Sequence, residues 1–201
     1  MSSEEEKQVL GLQLPTDPRW ANLAEKSLEE ILTDHAYCEQ KAASSCISLI
    51  IQYPDMAGIV DTLTPIVQEE WSHFERVIAE LKKRGHSLGR QRKDEYVHKI
   101  NDIVRKGGSR EQQLVEKLLM GALIEARSCE RFRQLWKFIE DKELSEFYYE
   151  LLVSEAGHYK TFLELARKFM PADYVEKRWR EILIAEAKII TSLEVRGDRM
   201  H

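Results

Sequence analysis

The spacing Glu-x-x-His occurs twice in this chain, as Glu70-Trp71-Ser72-His73 and as Glu155-Ala156-Gly157-His158. On a helix, positions i and i+3 share a face and lie about 4.5 Å apart along the axis. Each pair can therefore aim one carboxylate and one imidazole at a common point. A single pair of this kind is ordinary on a wet helix surface. Here each pair follows another Glu on an apolar stripe: 31 residues separate Glu39 from Glu70, and 30 separate Glu125 from Glu155.

The stripes have a helical period. A first long helix is expected over about 28–52, with Ile31, Leu32, His35, Glu39, Ala42, Ala43, Cys46, Leu49 and Ile50 on one face. Ser27 with Glu30 reads as its capping box. The second, about 56–84, carries Ile59, Leu63, Ile66, Glu70, His73, Val77 and Leu81, and Pro65 either kinks it or starts it. The third, about 111–140, carries Leu114, Leu118, Ala122, Glu125, Cys129, Phe132 and Trp136. The fourth, about 142–168, carries Leu144, Tyr148, Leu151, Glu155, His158, Phe162 and Leu165. Short breaks near Tyr53-Pro54-Asp55 and residue 141 make two antiparallel hairpins, so the two acids of each hairpin stand at one height. Residues 85–110 lack a sustained stripe and read as a long crossover with a short helix at 93–104. A short helix from Arg19, after Asp17-Pro18, precedes the bundle, and a fifth long helix at 173–193 packs outside it. Residues 1–15 are expected to be flexible, 16–193 to form one domain, and 194–201 to be a polar tail.

The chain has 201 residues, enough for a substantial single core, and its 43% hydrophobic and 32% charged shares suit a helical protein in water. No stretch approaches the roughly 20 apolar residues of a membrane span. The acidic start, Met1 to Glu6, lacks the apolar centre of a signal peptide. Cys38, Cys46 and Cys129 have no zinc-type spacing, which fits a reduced, cytoplasmic setting.

Four carboxylates and two imidazoles make a hard oxygen and nitrogen site suited to iron or manganese. Four acids carry the charge that balances two divalent ions. Glu130 stands five residues beyond Glu125, about 140° around the helix at about 100° per residue, and should point elsewhere. His35, one turn before Glu39, is either a partnered core histidine or an outer support for the site. Gly121, Ala122, Ala42, Ala43, Ser128 and Cys129 are small and offer room beside the acids, and Gly157 clears space near His158 or permits close packing. The net charge is −5. Against that, Lys82, Lys83, Arg84, Arg90, Arg92, Lys93, Arg105, Lys106 and Arg110 crowd the crossover, and suggest a phosphate-contacting surface or simply a solvated loop.

Two Glu-x-x-His pairs and two single Glu match the ligands of ferritin-like dinuclear carboxylate proteins, so the expected fold is all-α, a ferritin-like four-helix bundle with one long crossover and an additional C-terminal helix. The flanking residues narrow this further. Leu32 to Ala43 (LTDHAYCEQKAA), Glu69 to Phe74 (EEWSHF), Leu123 to Phe132 (LIEARSCERF) and Ser154 to Tyr159 (SEAGHY) resemble the tRNA hydroxylase family known as MiaE over nearly the whole chain. The resemblance implies a non-haem di-iron monooxygenase that uses O2 to hydroxylate the isopentenyl group of 2-methylthio-isopentenyladenosine next to the anticodon. It implies two Fe ions held by Glu39, Glu70, His73, Glu125, Glu155 and His158, with no catalytic residue beyond these ligands. The partners would be tRNA and an electron-donating reductase, since the chain has no dinucleotide fingerprint and no cysteine cluster of its own. No membrane partner is expected; the oligomer would be a monomer or a dimer. The alternative is a ferritin or bacterioferritin-type iron-handling protein, or another dinuclear-metal oxidase.

Overall fold

The computed structural model describes residues 10–17 and 19–200, all in helices, turns and irregular chain without strands. The helices are α1 (Arg19–Lys26), α2 (Leu28–Gln52), α3 (Ile59–Lys83), α4 (Glu95–Asn101), α5 (Arg110–Phe138), α6 (Lys142–Phe169) and α7 (Ala172–Ser192). The helix boundaries follow local chemistry. Ser109 accepts from the Gln112 N–H while the Gln112 side chain accepts from the Ser109 N–H, a complete capping box for α5. Asp141 caps α6 by accepting from the Glu143 and Leu144 N–H groups. The box expected at Ser27 does not form, since its side chain makes no cap hydrogen bond. Pro65 lies inside α3, which begins six residues earlier behind Gly58 at φ +84°. Pro18 of the expected α1 start lies outside the described residues.

Short turns fold α2 with α3 and α5 with α6 into antiparallel hairpins. The hairpins meet along α3 and α6, where Lys83 pairs with Glu143, Arg76 with Glu150, and Glu69 with His158. They meet again where His35 of α2 packs on Phe132 of α5. The long segment carrying α4 is the crossover, so the architecture is the expected four-helix bundle. Its apolar interior divides in two. One cluster gathers Leu63, Ile66, Leu118, Leu119 and Phe162. The other gathers Ile31, Leu32, Val77, Phe132, Tyr148 and Leu151. The heights of Glu39, Glu70, Glu125 and Glu155 fall between them.

Helix α7 does pack outside, but charge as well as apolar contact holds it. Arg127 of α5 donates to Glu186 of α7 at 2.6 Å, and both side chains are fully buried. Arg178 of α7 grips Glu116 of α5 through two bonds of 2.6 and 2.7 Å. The expected flexible start divides: residues 1–9 lie outside the described residues, whereas Leu12 is buried, Leu14 O accepts from Arg127, and Thr16 bonds Glu130. The tail is also docked, since Met200 is buried and its N–H donates to Asp34, while the Trp20 indole donates to Arg199 O. Its polar side chains therefore ride on backbone contacts that a polarity argument does not register. Trp136, expected in the core, is 37% exposed at the frayed end of its stripe and rests on Tyr149.

Removing one member of a buried ion pair strands the other. Glu186→Ala is expected to destabilise the fold by about 3–5 kcal/mol, whereas Arg127→Met with Glu186→Leu recovers part of that loss, both read by urea denaturation.

Candidate metal centre

All six sequence-predicted ligand residues converge and are nearly closed to solvent, none being more than 5% exposed. Glu39 comes from α2, Glu70 and His73 from α3, Glu125 from α5, and Glu155 and His158 from α6. Their donor atoms form two overlapping quartets, Glu39–Glu70–His73–Glu155 and Glu70–Glu125–Glu155–His158, in each of which the atoms lie within 4.8 Å of one another. Glu70 and Glu155 belong to both. Both imidazoles present Nδ1 inward: His73 Nδ1 is 3.0 Å from Glu155 and 3.7 Å from both Glu39 and Glu70. His158 Nδ1 is 2.8 Å from Glu70 and 3.0 Å from Glu155.

These atoms are close but poorly matched as hydrogen bonds. Both Glu70 oxygens, Glu155 Oε1 and His73 Nδ1 are buried without a hydrogen-bond partner. Buried polar atoms are rarely left so, and each costs about 1–3 kcal/mol. A pair of cations would satisfy them all. The donor set, four carboxylates and two imidazoles, fits two hard or borderline divalent ions.

The protonation pattern has the same origin. Burial, then the neighbouring carboxylates, push Glu39 and Glu125 well above the usual carboxyl range. Burial alone would raise Glu155 too, but the imidazoles of His158 and His73 set against it hold it well below. Burial disfavours the imidazolium forms, yet the surrounding acids outweigh it and push His73 up to about 12 and His158 up to about 11. Protons and cations therefore compete for the same atoms.

Two further residues support the centre from outside. His35 Nε2 lies 2.6 Å from Glu39 Oε1, and its ring stacks on Tyr148 at 5.5 Å and meets the tilted Phe132 ring at 4.9 Å. Of the two roles open to it, it takes both, a partnered core histidine that fixes a candidate ligand. Glu69 was not foreseen. Its Oε2 lies 2.9 Å from His158 Nε2, on the ring edge away from the centre, while the carboxylate itself is 55% exposed. No periodicity marks Glu69, because its partner is on the other hairpin. Glu130 turns away as expected and bonds Thr16, Arg127 and Gln134.

The small residues divide. A Cβ on Gly121 would come within 3.2 Å of the Phe162 ring, so its space is filled by helix packing rather than left as room for a substrate. A Cβ on Gly157 would meet nothing within 4 Å. Of the nine basic crossover residues, five are engaged: Lys83 with Glu143, Arg84 with Glu80 and Asp141, Arg92 with Asp198, Arg105 with Glu181, and Arg110 with Asp55. Lys82, Arg90, Lys93 and Lys106 are exposed and have no ion-pair partner among the described residues.

A four-helix bundle with two paired Glu-x-x-His motifs and two further acids at its waist defines the ferritin-like class of dinuclear carboxylate proteins. Within that class the chain belongs to the tRNA-(MS[2]IO[6]A)-hydroxylase (MiaE) family, which residues 3–201 match. A tRNA 2-(methylsulfanyl)-N(6)-isopentenyladenosine(37) hydroxylase of Pseudomonas putida is 36% identical, over 89% of this chain and 85% of its own length. The protein of the same name from Salmonella typhimurium is 28% identical, over 90% and 84%. Among solved structures, a Synechococcus protein described as having aldehyde deformylating oxygenase activity superposes with a TM-score of 0.88 at 33% identity, covering 96% of each chain.

Metal must displace these protons, which fixes the sign of the pH dependence. Glu39 and Glu125 hold protons beyond the range of a free carboxyl, and both imidazoles hold theirs beyond the ordinary 6.5. Affinity therefore rises with pH through the neutral and alkaline range. The increase in Tm on adding manganese(II) should be larger at about pH 8 than at about pH 6, and a pH-independent increase would count against binding at this centre.

Proposed function

We propose that Glu39, Glu70, His73, Glu125, Glu155 and His158 hold two iron ions, and that the chain hydroxylates the isopentenyl group of 2-methylthio-isopentenyladenosine at position 37 of tRNA. The observation that carries the reading is the pair of buried quartets sharing Glu70 and Glu155. Glu39 and His73 would hold one ion and Glu125 and His158 the other, with Glu70 and Glu155 within reach of both. When bound, two ferrous ions would supply the activation of O2 that breaking an allylic C–H bond of the isopentenyl group requires.

The chain's own contribution is arrangement. His35 orients Glu39, and Glu69 holds His158 with Nδ1 turned inward. The two apolar clusters keep water from the centre from both ends of the bundle. The family, and the names of the Pseudomonas and Salmonella relatives, support the substrate. The modified base would leave its stack to reach a centre inside a bundle, which is easiest in the single-stranded anticodon loop. Electrons would come from a separate reductase, in the cytoplasm, with the enzyme working as a monomer or dimer. No helix among the described residues is long and apolar enough to cross a membrane.

Incubation of the iron-loaded protein with a chemical reductant, O2 and isopentenylated tRNA should give a nucleoside heavier by one oxygen in mass spectra of the digest. Formate release from an aldehyde, with unmodified tRNA, would replace this reading with the activity described for the Synechococcus neighbour. Alanine at Glu125 should abolish retention of the metal pair, while alanine at Glu130, five residues on, keeps it. Metal analysis giving the reverse would displace the centre from the six residues.

A further inference from the structure

Arg131, half-buried on α5, is out of keeping with the buried charges around it. The buried Arg residues on or against α5 grip carboxylates: Arg127 holds Glu186, and Arg178 holds Glu116. Among the described residues Arg131 has no carboxylate within ion-pair distance and no hydrogen-bond acceptor, and its Nε and Nη1 are closed off from solvent. Its guanidinium lies 4.3 Å above the Trp20 ring, which orients the group without neutralising it. Burial without a counter-ion pushes it down to about 10. Glu130, next in sequence, is already committed to Thr16, Arg127 and Gln134.

Arg131 forms part of the wall of a cavity of about 970 Å³ between the N-terminal strap, the crossover and the end of α7 with its tail. Lys93, Lys99, Arg196 and Arg199 line the same cavity. The acids there do not balance them. Asp17 is taken by Arg19, and Glu95 by Lys99, leaving the exposed Glu194. Asp198, just behind the wall, is one carboxylate shared by three guanidinium groups, those of Arg92, Arg196 and Arg199, at 3.1, 2.9 and 3.0 Å. Lys93 is exposed and has no ion-pair partner among the described residues. A chain of net charge −5 thus keeps a concave surface with an excess of cations, one of them a guanidinium with no carboxylate partner among the described residues. Guanidinium donors on a concave basic wall suit the oxygens of a phosphate group.

We propose that this cavity is a phosphate-binding site, and that the sugar–phosphate backbone of the tRNA substrate occupies it. The second half rests on the hydroxylase reading. It also relocates the nucleic-acid surface: of the nine basic residues that the sequence nominates, only Lys93 lines this cavity, and Lys99 of α4, Arg131 of α5, and Arg196 and Arg199 of the tail replace the others.

The test uses the full iron-loaded chain. Binding of fluorescently labelled isopentenylated tRNA is followed by anisotropy across a NaCl series. Arg131→Gln and, separately, Lys93→Gln should weaken binding roughly tenfold at low salt. Each should lower the slope of log K against log salt by about one, the increment for one lost phosphate contact. Lys82→Gln, exposed on α3 and away from the cavity, should change neither. Thermal melts report whether Arg131→Gln folds, and Lys93→Gln, at an exposed position, carries the test alone if it does not. Inorganic phosphate provides the second arm, with line broadening of its phosphorus NMR signal expected for the wild type and reduced for both variants. Broadening lost in the variants with tRNA affinity unchanged would keep the phosphate site and overturn its use by tRNA. No change in either arm would overturn the site. Variants that lose affinity and slope as expected, beside a wild type that forms no hydroxylated nucleoside, would sink the hydroxylase reading while leaving the cavity assignment standing.

Discussion

Four carboxylates facing one another inside an apolar bundle repel, and the fold is built to hold them there regardless. Glu39, Glu70, Glu125 and Glu155 come from four different helices, and no one helix could place them alone. Without metal the repulsion would be relieved by protons, which Glu39, Glu125 and the two imidazoles are all shifted to hold. That solution leaves several buried donor and acceptor atoms unmatched. Two cations would remove both the repulsion and the unmatched atoms, so metal and core are parts of one electrostatic balance. The apolar clusters on either side supply the packing energy that lets the helices tolerate such a waist.

Helix α5 serves two such balances at once. One face turns Glu125 into the centre. The other turns Glu116, Arg127, Glu130 and Arg131 outward, toward α7, the N-terminal strap and α1. Three of these four are matched internally, and together they attach α7 and the strap to the bundle. The fourth is not, and it opens on the basic cavity. A helix charged on both faces and buried on both has a poor amphipathic stripe, so the outer partners of α5 are hard to read from its own residues.

The crossover illustrates how composition can mislead about role. Its Lys and Arg residues look like a single basic surface when read in order. In three dimensions most are anchors: Arg84, Arg92, Arg105 and Arg110 tie the segment to α6, the tail, α7 and the α2–α3 turn. The basic excess reappears elsewhere, around Arg131 and the shared Asp198, where residues from both ends of the chain meet.

What the sequence by itself determined is whatever repeats within a helix or between neighbouring helices. The stripe around Glu39, the two Glu-x-x-His pairs and the matched intervals of 31 and 30 residues already require a four-helix bundle with six side chains at one height. The Glu130 register follows from the same helical angle. The tertiary structure alone decided the rest: that Glu70 and Glu155 are common to both quartets, that Glu69 reaches His158, that Phe162 fills the space at Gly121, and that the tail is docked against Asp34. The physical reason is one of range. Helical periodicity is set by backbone hydrogen bonds four residues apart, whereas the end point of a side chain depends on partners far along the chain, 89 residues away for Glu69 and 166 for Asp34, brought near only by packing.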